Sequence, residues 1–513
     1  MRLAGMPTPG ESGRKTNLGR RFLTFDRQTQ SLEDLRSGYD PLVLDSHTLR
    51  DLEIFETDSD AESLFEFCNF TRTEGGAKLL RKRMELPWCE AEPIKITQQS
   101  VAFVCENREV FRKLPAYVVQ NVEIYQREVL LGATKKNPIE YFLQATNVYF
   151  NHDRHYRGIV RGVQYTCSVI RGLCEFMAQE ELEAAKGEIV PLLAELQELL
   201  SFAWVDEIPQ QQVAGSSPRK IFRLDQVFRQ QAKGVILRVL QLVYEFDALV
   251  SLADATLEHG FAIPEVLDGD IRIEAEGLVH PYLDDAVPNA VRLDQQERVL
   301  FLTGPNMAGK TTYLRAVAIA LYLAHLGMGV PAKRFGFVPV QRLYSSISLN
   351  DDIHAGISYF RAEALRIRAI AESISQGHSV AAVMDEPFKG TNVKDAFDAS
   401  LAVLERFATK EDCLFLFSSH LIELDDQLEE TKQISRSHFI AEVDGGRLTF
   451  DYQLRPGVSD QRLGVRVLEE EGVFDLLDGT KEKNPSQSKA TKINSNKKGV
   501  RVKIQHCIFT LTP

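Results

Sequence analysis

The chain has 513 residues, which is more than a single hydrophobic core usually serves, so two or three domains are expected. Its hydrophobic content of 44% and charged content of 26% are ordinary for a soluble globular protein. The 72 acidic residues outnumber the 60 basic ones and give a net charge of −12. This balance disfavours a protein that coats nucleic acid by bulk charge, although it leaves room for a local basic surface.

Cysteine usage and the absence of targeting signals indicate the compartment. The seven cysteines are scattered and form no C-x-x-C pair, which indicates reduced, mostly buried thiols. The first residues, MRLAGMPTPGESGRK, contain no apolar signal segment, and the most apolar stretch, 316–330, is too short to span a bilayer. We therefore expect an intracellular, soluble, cytoplasmic protein (nucleoid-associated in a bacterium) with no membrane partner.

The residue pattern changes along the chain and predicts four regions. Residues 1–41 are rich in Gly, Pro, Ser, Thr and Arg, which is typical of a flexible arm. Residues 42–260 carry apolar residues at helical spacing and predict a helical domain. Residues 261–476 alternate β-prone and helical runs, which predicts a largely parallel sheet covered by helices. Residues 477–513 are rich in lysine and predict a disordered tail, either solvated or touching nucleic acid. The expected fold class is α plus α/β.

Several segments carry more specific expectations. The run 223–259 is interrupted only by Gly234 and predicts one long helix, either part of an ordinary bundle or a lever that connects two functional regions. Glu74-Gly75-Gly76 interrupts an earlier helical pattern and predicts a turn or break. Helices are also expected at about 95–113, 137–150, 158–180, 181–204, 310–326, 359–375 and 395–408, and strands at 299–303, 335–338, 343–348, 379–384 and 413–418.

The most informative segment is FLTGPNMAGKTTYLR at 301–315, which contains G-x-x-x-x-G-K-[ST] as Gly304, Gly309, Lys310 and Thr311. An apolar strand-like run precedes it and a helix-forming run follows, which is the order that a phosphate-binding loop requires. Glycines let the backbone turn its N–H groups toward phosphate oxygens, and the helix N-terminus adds partial positive charge. A Gly-rich turn that matches by chance is the alternative, and the flanking strand and helix disfavour it.

Three later signatures fit the same site. An apolar run ends in Asp385-Glu386, where the first carboxylate can hold Mg²⁺ and the second can polarise the attacking water, unless both are only solvated acids. His420 follows another apolar run and can donate to a γ-phosphate, although a lone histidine is more often a packing residue. Ser358 opens a helix between the phosphate-binding loop and Asp385-Glu386, either as an N-cap or as a contact to the opposite subunit's γ-phosphate. The order of loop, Asp-Glu and His indicates an ABC-type ATPase.

Longer segments around these signatures form a family pattern. They are TGPNMAGKTTYLR (303–315), DD (351–352) with GISYFRAE (356–363), MDE (384–386), GTNVKDA (390–396), LFSSH (416–420) and the run 437–473, with weaker matches at 44–55, 75–87, 280–283 and 287–289. Together they resemble the MutS family of DNA mismatch repair ATPases over roughly residues 42–475. The resemblance implies a helical core or lever domain followed by an ABC-type P-loop ATPase domain, with ATP and Mg²⁺ as cofactors.

The resemblance also implies a role for each matching residue. Glu386 would be the catalytic carboxylate, His420 the γ-phosphate sensor, and Ser358 would act on the nucleotide of the other subunit of a homodimer. Thr311 and Asp385 would hold the Mg²⁺ ion. The residues that would bind the triphosphate are Gly304, Pro305, Asn306, Met307, Gly309, Lys310, Thr311 and Thr312.

Two functional hypotheses follow from the sequence. The first is a MutS-like dimeric ATPase that couples ATP binding and hydrolysis to mismatched or structured DNA in repair or recombination, with a possible repair partner protein. Core-like sequence begins near residue 44, so no mismatch-reading or connector domain is assigned, and a role selective for DNA structure fits better than mismatch scanning. The second is a nucleotide-switched dimeric scaffold that binds a protein partner and no DNA. A transporter ATPase subunit is disfavoured, because no membrane segment is visible.

Overall fold

The computed structural model describes residues 38–57, 61–131, 137–208, 215–348, 359–444, 447–459, 461 and 464–477. They divide into two compact units. One contains the residues up to 443 together with 449–461, and the other contains 444–448 and the residues from 462 onward. The helical region and the main sheet both lie in the first unit. Most of the expected arm and tail lies outside the described residues, which include only 38–41 of the arm and 477 of the tail. Ser358 and Cys507 also lie outside them.

The first half of the chain is helical after one short strand. Its elements are β1 (Val43–Leu44), α1 (Ser46–Asp51), α2 (Leu64–Cys68), α3 (Glu74–Glu85), α4 (Ala91–Glu106), α5 (Arg108–Phe111), α6 (Ala116–Arg127), α7 (Pro138–Asn151), α8 (Asp153–Met177), α9 (Ile189–Leu200), α10 (Pro218–Gln226) and α11 (Lys233–Glu258). A 3-10 turn, Glu180–Ala184, lies between α8 and α9. This region is therefore a set of packed helices, and it lies in the same compact unit as the main sheet.

The long helix expected at 223–259 is divided in the structure. Helix α10 ends at Gln226, a π-helical turn follows at Val227–Gln231, and α11 begins at Lys233. Helix α11 packs against α3 and α4, and its buried face includes Leu242 and Phe246. The expectation of one uninterrupted helix was wrong at its N-terminal end, because a π turn leaves no signature such as proline in the sequence.

The double glycine at Gly75-Gly76 belongs to a helix start and not to the expected turn or break. Thr73 is the N-cap of α3, and its hydroxyl accepts a hydrogen bond from the backbone N–H of Gly76 (2.9 Å). A Cβ atom on Gly75 would lie 2.4 Å from the ring of Tyr244, and one on Gly76 would lie 2.3 Å from the carboxylate of Asp247. Glycine is therefore required here because α11 approaches α3 closely.

The second half of the chain forms the sheets. Its elements are β2 (Glu265–Val266), β3 (Ile273–Leu278), β4 (Asn289–Leu293), β5 (Val299–Thr303), α12 (Lys310–His325), β6 (Arg334–Phe337), β7 (Arg342–Ser346), α13 (Tyr359–Ser375), β8 (Val380–Asp385), α14 (Val393–Phe407), β9 (Cys413–Ser418), α15 (Leu424–Leu428), β10 (Ile434–His438), β11 (Ala441–Asp444), β12 (Arg447–Phe450), β13 (Arg455–Pro456), α16 (Gly464–Glu470) and α17 (Val473–Leu477). Helices α16 and α17 belong to the second compact unit.

The main sheet has seven strands in the order β1-β7-β8-β9-β5-β10-β13. Its pairs are parallel except for β10 with β13, which is antiparallel. A four-stranded sheet has the order β2-β6-β3-β4, and β11 pairs with β12. The mostly parallel sheet confirms the expected α/β character of this region.

Alternate residues of the central strands face two different cores. In β5, Leu300 and Leu302 join the core that contains α12 and the helical region, whereas Val299 and Phe301 join a core with residues of α13, α14 and α15. This alternation follows from the period of two in a strand, and it buries both faces of the sheet. The carboxyl ends of β5, β8 and β9 therefore meet at one sheet edge between two layers of helices.

The strand β1 lies among the residues expected to form the helical domain, but it belongs to the main sheet. The sequence places residue 42 at the start of the helical domain, but Val43 and Leu44 pair in parallel with Arg342 and Leu343 at the edge of the main sheet. A two-residue strand has too little pattern to be recognised from sequence. The N-terminal segment is thus built into the sheet region before the helices begin.

The helices and the cysteines also bear on the expectations for membrane spans and disulfides. Within the described ranges, no helix is both long and apolar enough to cross a membrane. The six cysteines in this part of the chain are free thiols, and burial raises the pKa of Cys68 to about 12.

Candidate functional site

The loop between β5 and α12 has the backbone geometry that its glycines predict. Gly304 has a φ of 137° and Gly309 a φ of 103°, both in a region that favours glycine. A Cβ atom on Gly304 would lie 2.7 Å from the carbonyl oxygen of Phe439, so no other residue fits there. Helix α12 begins directly after the loop at Lys310, so the unpaired N–H groups of its first turn face the loop.

The side chain of Lys310 is folded back into the loop. It is only 4% exposed, and its ammonium donates to the carbonyl oxygens of Gly304 (2.8 Å) and Pro305 (3.2 Å) and to Oδ1 of Asn306 (3.4 Å). The same ammonium lies 3.3 Å from Oε1 of Glu386. A buried cation held by carbonyl oxygens and one carboxylate can transfer its hydrogen bonds to an incoming anion.

Asp385 is positioned from two sides. The hydroxyl of Thr311 donates to its Oδ2 (2.5 Å), and the hydroxyl of Ser418 donates to its Oδ1. Asp385 and Ser418 are directly paired in the β8–β9 register, which explains how they come together. Ser418 also accepts a hydrogen bond from the backbone N–H of Glu386 (3.0 Å). Sequence reasoning gave Ser418 no role, although its place at the end of an apolar strand was a usable signal.

Glu386 lies between a lysine and a histidine. Its Oε1 is 3.3 Å from Nζ of Lys310, and its Oε2 is 3.9 Å from Nδ1 of His420. Its backbone has a φ of 47°, which is unusual for a residue other than glycine. The His420 side chain is 56% exposed and stands at the rim of this group.

A cavity of about 750 Å³ opens over this group of residues. Its volume falls within the range usual for small-molecule sites. The expected site residues that line it are Asn306, Met307, Gly309, Lys310, Thr311, Thr312, Asp385 and Glu386. Among the described residues, Gly304 and Pro305 contribute through the loop backbone and His420 lies outside the cavity wall. Ser358 lies in the part of the chain that is not described, so its position stays a prediction.

Tyr452 is a cavity residue that sequence reasoning missed. It lines the cavity beside the loop, and its ring lies 3.2 Å from where a Cβ on Gly309 would be. Asn289 holds this segment in place, because its side chain donates to the Tyr452 carbonyl (2.9 Å) and accepts from the backbone N–H of Leu454 (2.7 Å). Nothing in the local pattern around Tyr452 indicates that the chain returns to the loop here.

The donor atoms at the loop fit a magnesium ion. Thr311 offers a hydroxyl oxygen and Asp385 a carboxylate, and hard oxygen ligands of this kind suit Mg²⁺ when phosphate oxygens and water complete its octahedron. Across the described ranges, no group of three or more His, Cys, Asp and Glu residues forms a metal cluster. The fit is therefore to an ion that arrives with a phosphate ligand.

Residues 300–480 match the family model for MutS domain V. The chain is also 34% identical over 246 residues to the DNA mismatch repair protein MutS of Natronomonas pharaonis, which covers 47% of this chain and 28% of that protein. It is 30% identical over 284 residues to the DNA mismatch repair protein MutS of Roseiflexus sp., covering 54% of this chain and 26% of that protein.

Over these residues the chain is similar to the MutS family. A third MutS relative, from Persephonella marina, is 31% identical over 244 residues, which are 47% of this chain and 28% of that protein. The chain thus spans about a quarter of the length of the curated MutS proteins that it matches. The MutS domain V match begins at Leu300 in β5 and includes the loop, Asp385, Glu386 and His420.

Proposed function

We propose that this chain is a member of the MutS family and hydrolyses ATP at the cavity above the loop between β5 and α12. One observation carries the proposal. Lys310, Thr311, Asp385 and Glu386, which are up to 76 positions apart in the sequence, come together at a single helix N-terminus. Such a site favours the triphosphate through backbone N–H groups, the helix dipole and a buried lysine.

Each residue has a distinct task in hydrolysis. Lys310 exchanges its bonds to the Gly304 and Pro305 carbonyls for bonds to phosphate oxygens, which stabilises the charge that develops during transfer. Glu386 orients the attacking water and accepts its proton while the bond from the γ-phosphorus to the bridging oxygen breaks. His420 can then donate to the transferred phosphate from the rim of the site. Bound Mg²⁺ would neutralise phosphate charge, and Thr311 and Asp385 are the residues that would hold it.

The simplest test is ATPase activity of the full chain with Mg²⁺. Lys310→Ala is expected to abolish tight nucleotide binding, because the buried ammonium is the principal positive charge of the site. Lys78→Ala is a matched control, since Lys78 is exposed and pairs with Glu74 on the surface of α3. An inactive wild-type chain, or full activity in Lys310→Ala, would contradict the proposal.

We propose that the chain forms a dimer that binds DNA, and that ATP binding and hydrolysis drive a motion of this dimer on the DNA. The matched relatives carry the name DNA mismatch repair protein, which supports this part of the function. In the trans arrangement expected for Ser358, each nucleotide would lie between the loop of one subunit and the α13 start of the other. The protein would act inside the cell, where its free thiols stay reduced, alone or with a repair partner protein.

Exposed basic side chains on the helical region support the DNA part of the proposal. Helices α7, α8 and α10 pack together, and Arg154 and Arg161 lie exposed on α8. Arg219 and Lys220 lie exposed at the start of α10, and the Arg219 guanidinium stands 5.6 Å above the ring of Phe142 on α7. Basic side chains beside exposed aromatic rings are a common arrangement for contact with nucleic acid. This local charge contrasts with the net charge of −12.

A nucleotide-switched scaffold is the second candidate, and one observation favours it. The outer face of α7 exposes Ile139, Phe142, Leu143 and Phe150, which are 50% to 73% exposed. Exposed apolar side chains on one helix face are typical of protein interfaces. A mobility-shift titration with duplex, mismatched and branched DNA at low salt separates the candidates. DNA binding with a steep salt dependence supports the first function. No binding to any of these DNA structures supports the scaffold.

A further inference from the structure

The turn that follows β8 carries unusual backbone conformations. Glu386 has a φ of 47° and Phe388 has a φ of 69°, so two residues with side chains lie in the left-handed region within three positions. Such conformations persist only where the surroundings hold them in place. Phe388 is buried and packs near Phe360 of α13, with ring centroids 5.9 Å apart. The turn is therefore held by contacts with α13.

Glu363 on α13 holds the same turn through its carboxylate. The backbone N–H of Gly390 donates to Oε2 of Glu363 (3.4 Å), and the backbone N–H groups of Phe388 and Lys389 also interact with this carboxylate. Three consecutive N–H groups around one anion form a nest, an arrangement that fixes the backbone dihedral angles of a turn. Glu363 is only 2% exposed, so its carboxylate contacts the turn within the protein interior.

The burial of this carboxylate is only partly compensated. Burial raises the pKa of Glu363, while the hydrogen bonds from the turn and the nearby charge of Lys389 lower it. Its second oxygen, Oε1, is buried and has no hydrogen-bond partner in the described part of the chain. Keeping an unsatisfied acceptor in the interior weakens the fold, so the residue is a poor choice for packing alone.

Helix α13 is itself fixed one turn beyond Glu363. The Arg366 guanidinium donates to the carbonyl oxygen of Ser345 (3.1 Å from Nε) and to the Thr48 hydroxyl (2.7 Å) and pairs with Asp45. These contacts prevent α13 from sliding away from the sheet. The carboxylate of Glu363 is thereby presented to the turn at a fixed place.

We propose that Glu363 is a positioning residue for Glu386. It holds the backbone of Phe388 to Gly390, and through them it keeps Glu386 in the conformation that faces Lys310 and His420. The proposal rests on the ATPase function proposed above. In this proposal, α13, which follows Ser358, directly supports the hydrolytic carboxylate of Glu386 in the same subunit.

Steady-state ATPase kinetics of Glu363 variants of the full chain test this proposal. In Glu363→Ala we expect kcat to fall roughly 10-fold to 100-fold while KM for ATP stays within about 2-fold, because the loop that binds phosphate is unchanged. In Glu363→Gln, which keeps one acceptor oxygen, we expect a smaller loss of kcat. Glu372→Gln on the same helix is the control, since Glu372 is exposed and pairs with Arg368.

A structural role alone would give a different result. It would lower the fraction of active protein but leave kcat per bound nucleotide unchanged, so active sites are counted by binding of a fluorescent ATP analogue. If Glu363→Ala does not fold, Glu363→Gln decides. Wild-type kcat in the folded variants would overturn this proposal and leave the ATPase function standing. An inert wild-type chain would overturn both.

Discussion

The carboxylate of Asp51 accepts a hydrogen bond from the backbone N–H of Ile347 (2.7 Å), which joins α1 to the end of β7 nearly 300 positions later. The same carboxylate accepts from the Ser345 hydroxyl (2.8 Å) and from the backbone N–H of Ser348 (3.0 Å). Asp51 is 4% exposed, so these bonds are shielded from water. The N-terminal segment therefore fixes the point from which the chain leaves β7 toward the predicted Ser358.

The first prediction concerns this junction. Asp51→Ala leaves two backbone N–H groups and one hydroxyl without their buried acceptor, so we expect a loss of roughly 2–4 kcal/mol in the free energy of unfolding. Denaturant unfolding monitored by fluorescence measures it. Glu56→Ala is the control, since Glu56 is exposed five residues later. Equal stability of the two variants would show that Asp51 does not support β7.

Tyr452 provides the second prediction. Because its ring lines the cavity beside Gly309, Tyr452→Ala should remove contact area from the bound nucleoside and raise KM for ATP roughly 10-fold, with little change in kcat. Steady-state ATPase assays over a range of ATP concentrations measure both constants. Tyr117→Ala serves as the control, because Tyr117 is 79% exposed on α6. An unchanged KM for ATP in Tyr452→Ala would show that the adenine base of ATP binds away from Tyr452.

Much of the sheet region was predictable from sequence, and the reasons are physical. The strand Cys413–Ser418 and the helix Tyr359–Ser375 lie where they were expected, because buried parallel strands form continuous apolar runs and the helix carries a clear period. The carboxyl ends of such strands meet at one edge, so Asp385 and the loop could be placed together in advance. Family resemblance supplied the functional roles.

The remaining features depend on contacts that the local pattern does not record. The strand Val43–Leu44 exists only because β7 offers it an edge. Gly75 and Gly76 indicated a break locally, but they are required by the approach of Tyr244 and Asp247 from α11. Tyr452 and Glu363 reach the site through loops and helix packing far from the phosphate loop in sequence. Their roles needed the structure.

The third prediction is a pH dependence of stability. Burial lowers the pKa of His325 to about 4, and its neutral ring accepts the backbone N–H of Val340 at Nε2 and hydrogen bonds the Leu321 carbonyl at Nδ1. Burial and the charge of Arg315 likewise lower the pKa of His280 to about 4. Because the unfolded chain takes up these protons near pH 6.5, stability is lost as the pH falls from about 6.5 toward 4, by up to roughly 3 kcal/mol for each histidine.

Unfolding free energies at pH 7 and pH 5 measure this effect. Carboxylates contribute to the same trend, so the comparison is between the wild-type chain and His325→Gln. The variant, although less stable at pH 7, should lose less stability on acidification. Equal slopes for the two proteins would contradict the assignment of a neutral, buried His325.

The fourth prediction concerns DNA. Arg154→Glu with Arg161→Glu should weaken DNA binding at low salt by roughly 10-fold or more and reduce the slope of log affinity against log salt by about two, since two phosphate contacts are lost. ATPase activity without DNA should stay the same. Arg368→Glu is the control, because Arg368 is an exposed arginine on α13. Unchanged DNA affinity in the double variant would exclude Arg154 and Arg161 as DNA contacts.

The trans arrangement of Ser358 gives the fifth prediction. Lys310→Ala and Ser358→Ala homodimers should each be impaired. A mixed dimer contains one site with an intact lysine from one subunit and an intact serine from the other, so mixing the inactive proteins should restore part of the activity. Titration of one variant into the other during an ATPase assay measures it. No recovery in mixtures that are shown to exchange subunits would contradict the arrangement.

The central claim is that Glu386 drives hydrolysis of ATP held by Lys310, and single-turnover hydrolysis of prebound ATP by Glu386→Gln tests it most directly. The amide keeps the shape of the side chain but cannot accept the proton of the attacking water. We predict that the variant binds ATP as tightly as the wild-type chain, fails to cleave it, and accumulates as a nucleotide-bound dimer. Cleavage of the bound ATP by Glu386→Gln at the wild-type rate would contradict the account.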